Sequence, residues 1–446
     1  MKSRGNMQLR DYQLAGVNEI SAAFSAGIRR VCYVAPCGAG KSEMIAYMAN
    51  KAADKENQVL FLIHRRELLE QVQETIGRTS PLITMGTVQA LLRKLDKLPA
   101  PKLIISDEFH HGTAATWRKI FDYFPDAFIV GLTATPARMG GQGLSDICDR
   151  LIIGPTTAEL IGRGYLAKFK YYAPPIPVDF EDVKMIAGDY DNREITIRID
   201  KPHITGQAIE HYQLLAAGKQ AIIYCASLEH SRHTVSQFQE AGINAQHVDG
   251  ETPKETRTQA IEDFKAGRLT VLSNVELFGE GLNIPGVEVV LLLRPTQSLT
   301  LHLQQSMRSM RPGPNKTAII IDAVGNVYRH GLPDAPREWS LDGHQRRKNA
   351  PGGVGIRYCP MCYGVLNPAP ICPYCGYQFT VTQRMLAVEN GALAEFDAEQ
   401  AARAAKVARM EVGQCRTMED LKRIETERGY QKGWAWRMAK IKKIGR

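Results

Sequence analysis

Short runs of Val, Ile and Leu, each followed by turn residues and then by a helical pattern, recur between residue 31 and about residue 322. Eight of them lie at 31–35, 59–63, 103–106, 129–132, 221–224, 269–273, 287–293 and 318–321. Their apolarity is continuous rather than alternating, which predicts strands covered on both faces. Regular alternation with helices predicts parallel α/β sheets. A stretch at 164–206, containing Pro174, Pro175, Pro177 and mixed charges, divides the runs into two sets. The expected organisation is therefore one α/β domain over 1–165, a linker and start of the second domain over 166–205, and a second α/β domain over 206–335.

Beyond Asp322 the pattern gives way to Gly, Pro and charged residues, which reads as a linker leading into a cysteine cluster, together spanning 336–380. From 381 to 446 the composition is helical, with Ala, Glu, Arg and Lys dominating 392–410 and a second candidate helix at 418–428. No run approaches about 18 uninterrupted apolar residues. The first ten residues also lack the apolar run of a secretion signal, so the expectation is a cytoplasmic protein with no membrane contact.

Charge and cysteine content narrow the function further. The chain carries a net +9, and residues 401–446 hold 13 Lys/Arg against 5 Asp/Glu, so nearly all the excess sits in the tail. Such a tail is either a polyanion contact or a solvated helical face. Of nine cysteines, Cys359, Cys362, Cys372 and Cys375 form two CxxC pairs with nine residues between them. Four thiolates at this spacing suit a closed tetrahedral Zn²⁺ site that folds a small ribbon rather than catalyses. A redox-active CxxC needs only one pair.

The sharpest chemical signal is the segment Ala35, Pro36, Cys37, Gly38, Ala39, Gly40, Lys41, Ser42, placed between an apolar run and a helical pattern. This is the strand–loop–helix context of a phosphate-binding loop. Gly38 and Gly40 let backbone N–H groups approach phosphate, Lys41 neutralises its oxygens, and Ser42 is a ligand for Mg²⁺. About 65 residues downstream, the strand at 103–106 ends in Asp107, Glu108, Phe109 and His110. Asp107 is placed to hold Mg²⁺ and Glu108 to activate a water.

Further segments follow in a fixed order, and with them the chain resembles a superfamily-two helicase of the DExH type. Leu9, Arg10, Asp11, Tyr12 and Gln13 resemble the adenine-sensing motif, with Arg10 and Gln13 as nucleotide contacts. His64 and Arg65, then Gly86, Thr87 and Gln89, resemble first-domain contacts to the nucleic-acid backbone. Thr133 and Thr135, in a Thr-Ala-Thr-Pro segment, resemble the motif coupling hydrolysis to movement, to which His110 is linked.

In the second half, Cys225, Asp249 and Gly250 match further nucleic-acid contacts, and Gly281 and Asn283 match a nucleotide-contacting motif that usually has Asp at the latter position. Gln304, Arg308 and Arg311 match the motif carrying the arginine fingers, with Met307 where the family has Gly.

The resemblance implies two tandem RecA-like parallel-sheet domains, followed by a small zinc ribbon and a helical basic tail. It implies ATP with Mg²⁺ as cofactor and a nucleic-acid-dependent ATPase with catalytic Lys41, Asp107, Glu108, Arg308 and Arg311. The zinc cluster directly after the motor is similar to the arrangement in RadD-type DNA repair helicases and related phage-encoded enzymes. That similarity covers about residues 7 to 380 and implies single-stranded, forked or branched DNA as substrate.

An RNA helicase, the motor subunit of a restriction or nuclease complex, and an ATP switch recruited by its ribbon and tail remain alternatives. Near the end, Trp434 and Lys440 belong to an aromatic and cationic stretch that either contacts unpaired bases and phosphates or anchors the tail helices. Protein partners through the ribbon and tail are a further expectation.

Overall fold

The computed structural model describes residues 8–63, 67–77, 80–113, 115–137, 142–174, 180, 183–186, 189–199, 202–275, 286–342, 356–379, 415, 417–427, 435–436 and 438–439. His64, Arg65, Gly281, Asn283, Trp434, Lys440 and the candidate helix at 392–410 lie outside the described residues. One compact unit comprises 1–380 and a second comprises 381–446.

The first unit contains two sheets. The strands of the first are β1 (Arg30–Val34), β2 (Val59–Ile63), β3 (Ile83–Thr87), β4 (Leu103–Asp107), β5 (Phe128–Thr133) and β6 (Arg150–Ile153), all parallel, in the order β3-β2-β4-β5-β1-β6. β2 is buried at every position, as its unbroken Val-Leu-Phe-Leu-Ile sequence requires of a strand covered on both faces. Register places the carboxyl ends of the central strands side by side: Val34 of β1 lies opposite Thr133 of β5, and Asp107 of β4 opposite Leu132. Three chemically distinct segments thus leave the sheet at one edge.

The second sheet contains β7 (Lys168–Tyr172), β10 (Ala221–Tyr224), β11 (Ala245–Val248), β12 (Val271–Asn274), β13 (Val289–Leu292), β14 (Thr317–Asp322), β15 (Arg357–Tyr358) and β16 (Gly364–Leu366). A separate ribbon pairs β8 (Met185–Ile186) with β9 (Asp189–Tyr190). The order is β11-β12-β10-β13-β14-β7-β16-β15, parallel as far as β7 and antiparallel beyond it.

The 166–205 stretch, read as a linker and the start of the second domain, and the stretch read as a linker after that domain both make tertiary contacts. β7 lies within the 166–205 stretch and pairs along its length with β14, and the Tyr171 phenol donates to buried Asp322 at 2.9 Å. Its Lys-Phe-Lys-Tyr-Tyr sequence hides this, because cations interrupt the apolar run. In the stretch read as a linker after the second domain, the chain crosses back to the first sheet. Leu341 O accepts from the N–H groups of Leu144 and Ser145 at 2.8 and 3.1 Å, and Trp339 and Leu341 pack on the first-sheet core. The Arg337 guanidinium staples the root of this strap by donating to the carbonyls of His330, Leu332, Pro333 and Ala335.

The cysteine ribbon is part of the second sheet rather than an appendage, since β16 pairs with β7. Tyr374 bolts the junction. Its ring lies where a Cβ on Gly364 would stand, at 2.2 Å, and its hydroxyl donates to Val365 O and accepts from Tyr171 N–H. In the second unit a helix, Met418–Glu427, begins at a reciprocal Thr417–Asp420 cap and packs Leu421 and Ile424 with Cys415, Ala435 and Ala439. Among the described residues no helix is long and apolar enough to cross a membrane.

Candidate active site

The edge shared by β1, β4 and β5 faces the second sheet across a cleft of about 520 Å³. On the first-lobe side, the loop after β1 turns through Gly38 and Gly40 at φ +82° and +78°, and the Lys41–Ala53 helix starts from it. A left-handed backbone favours glycine there. At Gly40 a Cβ would also stand 2.3 Å from Gln13 Nε2.

Gln13 is buried against this loop, donating to Ala39 O at 3.1 Å and Gly40 O at 3.0 Å while its Oε1 accepts from Arg10 N–H. Arg10 stacks on the Tyr165 ring at 4.6 Å, and the Tyr12 hydroxyl donates to Ala39 O at 2.8 Å. The expected nucleotide reader is thus wired to the loop's main chain. Lys41 Nζ donates to Ala35 O and Pro36 O, at 3.0 and 3.3 Å, folded onto its own loop. Ser42, Cys37 and Gly38 line the cleft beside it.

The acidic pair is held in an uncommon shape. Glu108 has φ +45°, a left-handed conformation that non-glycine residues rarely adopt and that concentrates at functional sites. Its amide donates to Asp107 Oδ1 at 2.9 Å. Phe109, fully buried, explains how the turn holds: its ring occupies the space over Gly131 of β5, where a Cβ would lie 1.9 Å away.

From Glu108 a chain of polar contacts reaches the second lobe. His110 Nδ1 lies 3.5 Å from Glu108 Oε2 and 2.9 Å from Thr133 Oγ1. Thr133 Oγ1 bonds both the carbonyl and the amide of Thr135. Thr135 Oγ1 meets Thr300 Oγ1 at 2.6 Å. A second bridge runs directly, with Gln304 Nε2 donating to Glu108 Oε1 at 3.4 Å. Thr300 and Gln304 lie four residues apart on the Leu299–Ser306 helix, so one face of that helix touches both the acidic pair and the Thr133–Thr135 segment.

The cationic wall of the cleft follows that helix. Arg308 is buried, with its guanidinium against the Tyr224 phenol. Burial and the neighbouring Arg308 pull Arg311 down to about 10, which still leaves it charged at neutral pH. Met307, 3% exposed, belongs to an apolar cluster that draws residues from both sheets.

The expected nucleic-acid contacts fall at strand ends elsewhere. Gly86 is buried under Leu91, Thr87 caps the short Val88–Leu92 helix by accepting from Ala90 N–H, and Gln89 is exposed. Cys225 and Asp249 are buried. Both Asp249 oxygens are spent internally, on His247 Nε2 at 2.7 Å and on the Glu251 and Thr252 groups of its own turn. Burial opposes its ionisation, but the hydrogen bonds from His247 and Thr252 win and bring its pKa to about 2. Asp249 therefore shapes the loop that displays Gly250.

In the ribbon the four sulfurs lie within 4.8 Å of one another, with Cys359–Cys375 at 3.6 Å and Cys362–Cys372 at 3.7 Å. A tetrahedral shell with bonds near 2.3 Å separates its sulfurs by about 3.8 Å, so the donor set is compatible with Zn²⁺. Burial opposes ionisation of Cys359, yet backbone N–H groups of Cys362 and Met361 aimed at its sulfur bring the pKa down to about 7.

Comparison with known proteins accords with this architecture. The family described as the helicase conserved C-terminal domain matches residues 205–313, and that described as the type III restriction enzyme res subunit matches 6–82 and 78–138. A 51.5 kDa protein of a Lactococcus phage is 41% identical over 355 residues, 78% of each chain. The chain belongs to the superfamily-two helicases.

As a member of that family, the helicase is a nucleic-acid-dependent ATPase, and the family implies ATP and Mg²⁺. ATP-dependent helicase IRC3 of Saccharomyces cerevisiae, a provisional designation, is 28% identical over 365 residues; these cover 74% of the helicase and 53% of the yeast protein. The chain thus spans about half of that relative. LlaBIII, an ATP-dependent type ISP restriction-modification enzyme solved bound to DNA, shares the fold with a TM-score of 0.54 at 17% identity, over 70% of the helicase and 27% of LlaBIII.

Sequence reasoning did not find Thr300, Gly131 or Lys316. Thr300 sits in an unremarkable helical stretch, and Gly131 shows only as a small residue inside an apolar run. Lys316 is one of many lysines until folding brings it to the cleft wall.

Proposed function

We propose that this helicase is an ATP-driven DNA translocase that moves on or remodels single-stranded, forked or branched DNA in the cytoplasm of a bacterial or infected host cell. The observation that carries the reading is the contact of Gln304 from the second lobe with Glu108 of the first, inside a cleft walled by Lys41 on one side and by Arg308 and Arg311 on the other. The DNA-bound state of LlaBIII and the restriction-enzyme family match favour DNA as the polymer.

In this reading the N–H groups of residues 38–41 and the Lys41 ammonium hold the β and γ phosphates. Ser42 and Asp107 would hold Mg²⁺, which would neutralise phosphate charge. Glu108 orients the attacking water and accepts its proton, while Arg308 and Arg311 stabilise charge on the transferred phosphoryl group. Arg10 and Gln13 position the base.

His110, Thr133, Thr135 and Thr300 relay the state of the acidic pair to the second lobe. Backbone groups at Gly86, Thr87, Gln89 and Gly250 grip the strand without reading its sequence. The four cysteines would hold Zn²⁺, which would fix the fold of the ribbon, and the ribbon together with the basic tail contacts DNA or protein partners.

The test is steady-state ATP hydrolysis without polymer and with single-stranded DNA, duplex DNA, forked DNA or single-stranded RNA at matched salt. DNA stimulation is expected; stimulation by RNA alone overturns the choice of polymer, and no stimulation by any overturns the motor reading. The restriction-enzyme likenesses also favour a second reading, a motor subunit of a nuclease complex, which predicts a co-purifying nuclease.

Thr300→Val removes one hydroxyl from the interlobe relay at nearly constant volume. Loss of a hydrogen bond worth about 1 kcal/mol should lower DNA-stimulated turnover about fivefold. ATP affinity measured by calorimetry should hold, and an unchanged stimulated rate would remove Thr300 from the relay.

A further inference from the structure

The second-lobe wall of the cleft carries a third cation with no role in the scheme above. Lys316 lines the cleft with Arg308, Arg311 and Pro312, ahead of β14. Its stem lies along Gly313, and its ammonium donates to Arg311 O at 2.9 Å. The acid on its own lobe nearest in charge, Glu288, is engaged by Lys219 at 2.7 Å. Across the cleft stand Glu43 and Glu74, on first-lobe helices. The wall therefore concentrates three positive groups in a half-buried setting where a carbonyl is the neighbour that Lys316 bonds.

We propose that Lys316 is a nucleotide-contacting residue of the second lobe, donating to the polyphosphate of ATP beside Arg311. This rests on the cleft being the ATP site. Among the described residues a carbonyl rather than a carboxylate is the group Lys316 bonds, which leaves the desolvated ammonium short of compensation that a polyanion supplies. Burial pulls the Lys316 pKa from its ordinary value down to about 8; Arg311 pushes the same way and Glu288 opposes. Bound phosphate favours the protonated form. Lys316 is thus charged and binding-competent below about pH 8, and without a bound anion it loses this proton as the pH rises through that value.

The test measures ATP affinity by calorimetry from pH 6.5 to 9.5, in the full-length protein and in Lys316→Arg and Lys316→Met. Wild-type affinity should weaken about tenfold between neutral pH and pH 9.5, the scale of one charge-assisted hydrogen bond. Lys316→Arg, whose guanidinium stays charged, should keep tight binding with a flatter profile. Lys316→Met should bind about tenfold more weakly at neutral pH, with little further loss on raising pH.

Titration of ATP itself and of other groups is common to all three proteins and cancels in the comparison. Thermal melts of each variant verify folding. Wild-type affinity and pH profile in Lys316→Met would overturn the assignment. Failure of the wild type to bind ATP at any pH would instead refute the nucleotide reading of the cleft.

Discussion

Glu108→Gln and Lys41→Ala should each abolish ATP turnover, and for different physical reasons. Glutamine keeps a carbonyl oxygen where Glu108 Oε1 accepts from Gln304, so the bridge between the lobes survives and ATP remains bound. What disappears is the proton acceptor, an effect of about 10²–10⁴ in rate. Lys41→Ala removes the loop ammonium, which donates to the carbonyls of Ala35 and Pro36 and can turn from them to phosphate at the cost of two neutral hydrogen bonds. Losing that charge weakens the transition state by at least about 100-fold and ATP binding with it. The pair of measurements is steady-state hydrolysis with DNA and ATP binding by calorimetry. Wild-type turnover in either variant would refute the assignment of the cleft.

Removal of the ribbon metal has the other large expected effect, on structure rather than on chemistry. Purified protein should contain one zinc per chain, lost in the double variant Cys359→Ser, Cys362→Ser. Structural zinc sites contribute about 10–16 kcal/mol of apparent binding energy to domains that do not fold without it. Here the ribbon is also a sheet partner. Loss of metal should therefore release β16 from β7 and expose the backbone of Tyr171 and Tyr172. An unpaired strand edge of that kind invites association between chains. Hydrogen exchange at those amides should rise sharply in the variant, and the protein should aggregate on warming. Stoichiometric zinc in the double variant would refute the four-cysteine site.

How much of this was legible in the sequence depended on what each residue faces. Strands such as β2 and β13, buried on both sides, announce themselves by unbroken apolar runs, and the loop and acidic pair at the ends of β1 and β4 carry residue types that chemistry demands. β7 was hidden because alternating cations mask a strand whose partners are β14 and a cysteine ribbon 190 residues away. β15 and β16 are too short, and too rich in cysteine, glycine and proline nearby, to show a period. The strap through Trp339 and Leu341 reads as a linker because its order comes from tertiary contacts rather than from helix or strand. At the site, motif residues were findable, whereas Thr300 meets Thr135 from 165 positions away, and no local pattern marks such a pair. For Cys225 and Asp249 the sequence points to segments at strand ends, and there burial turns both side chains inward.

The strap also changes what kind of motion the two lobes can make. The chain passes from the first lobe to the second between β6 and β7, then returns through residues 332–342 to touch Leu144 and Ser145 before running back to the second sheet as β15 and β16. A body joined to another at one point can swing and twist in every direction, whereas one joined at two is left with rotation about the line through them. With Leu341 on its two amides, the strap gives the lobes a second chain connection, so fewer directions of relative movement stay open than a single connection would leave.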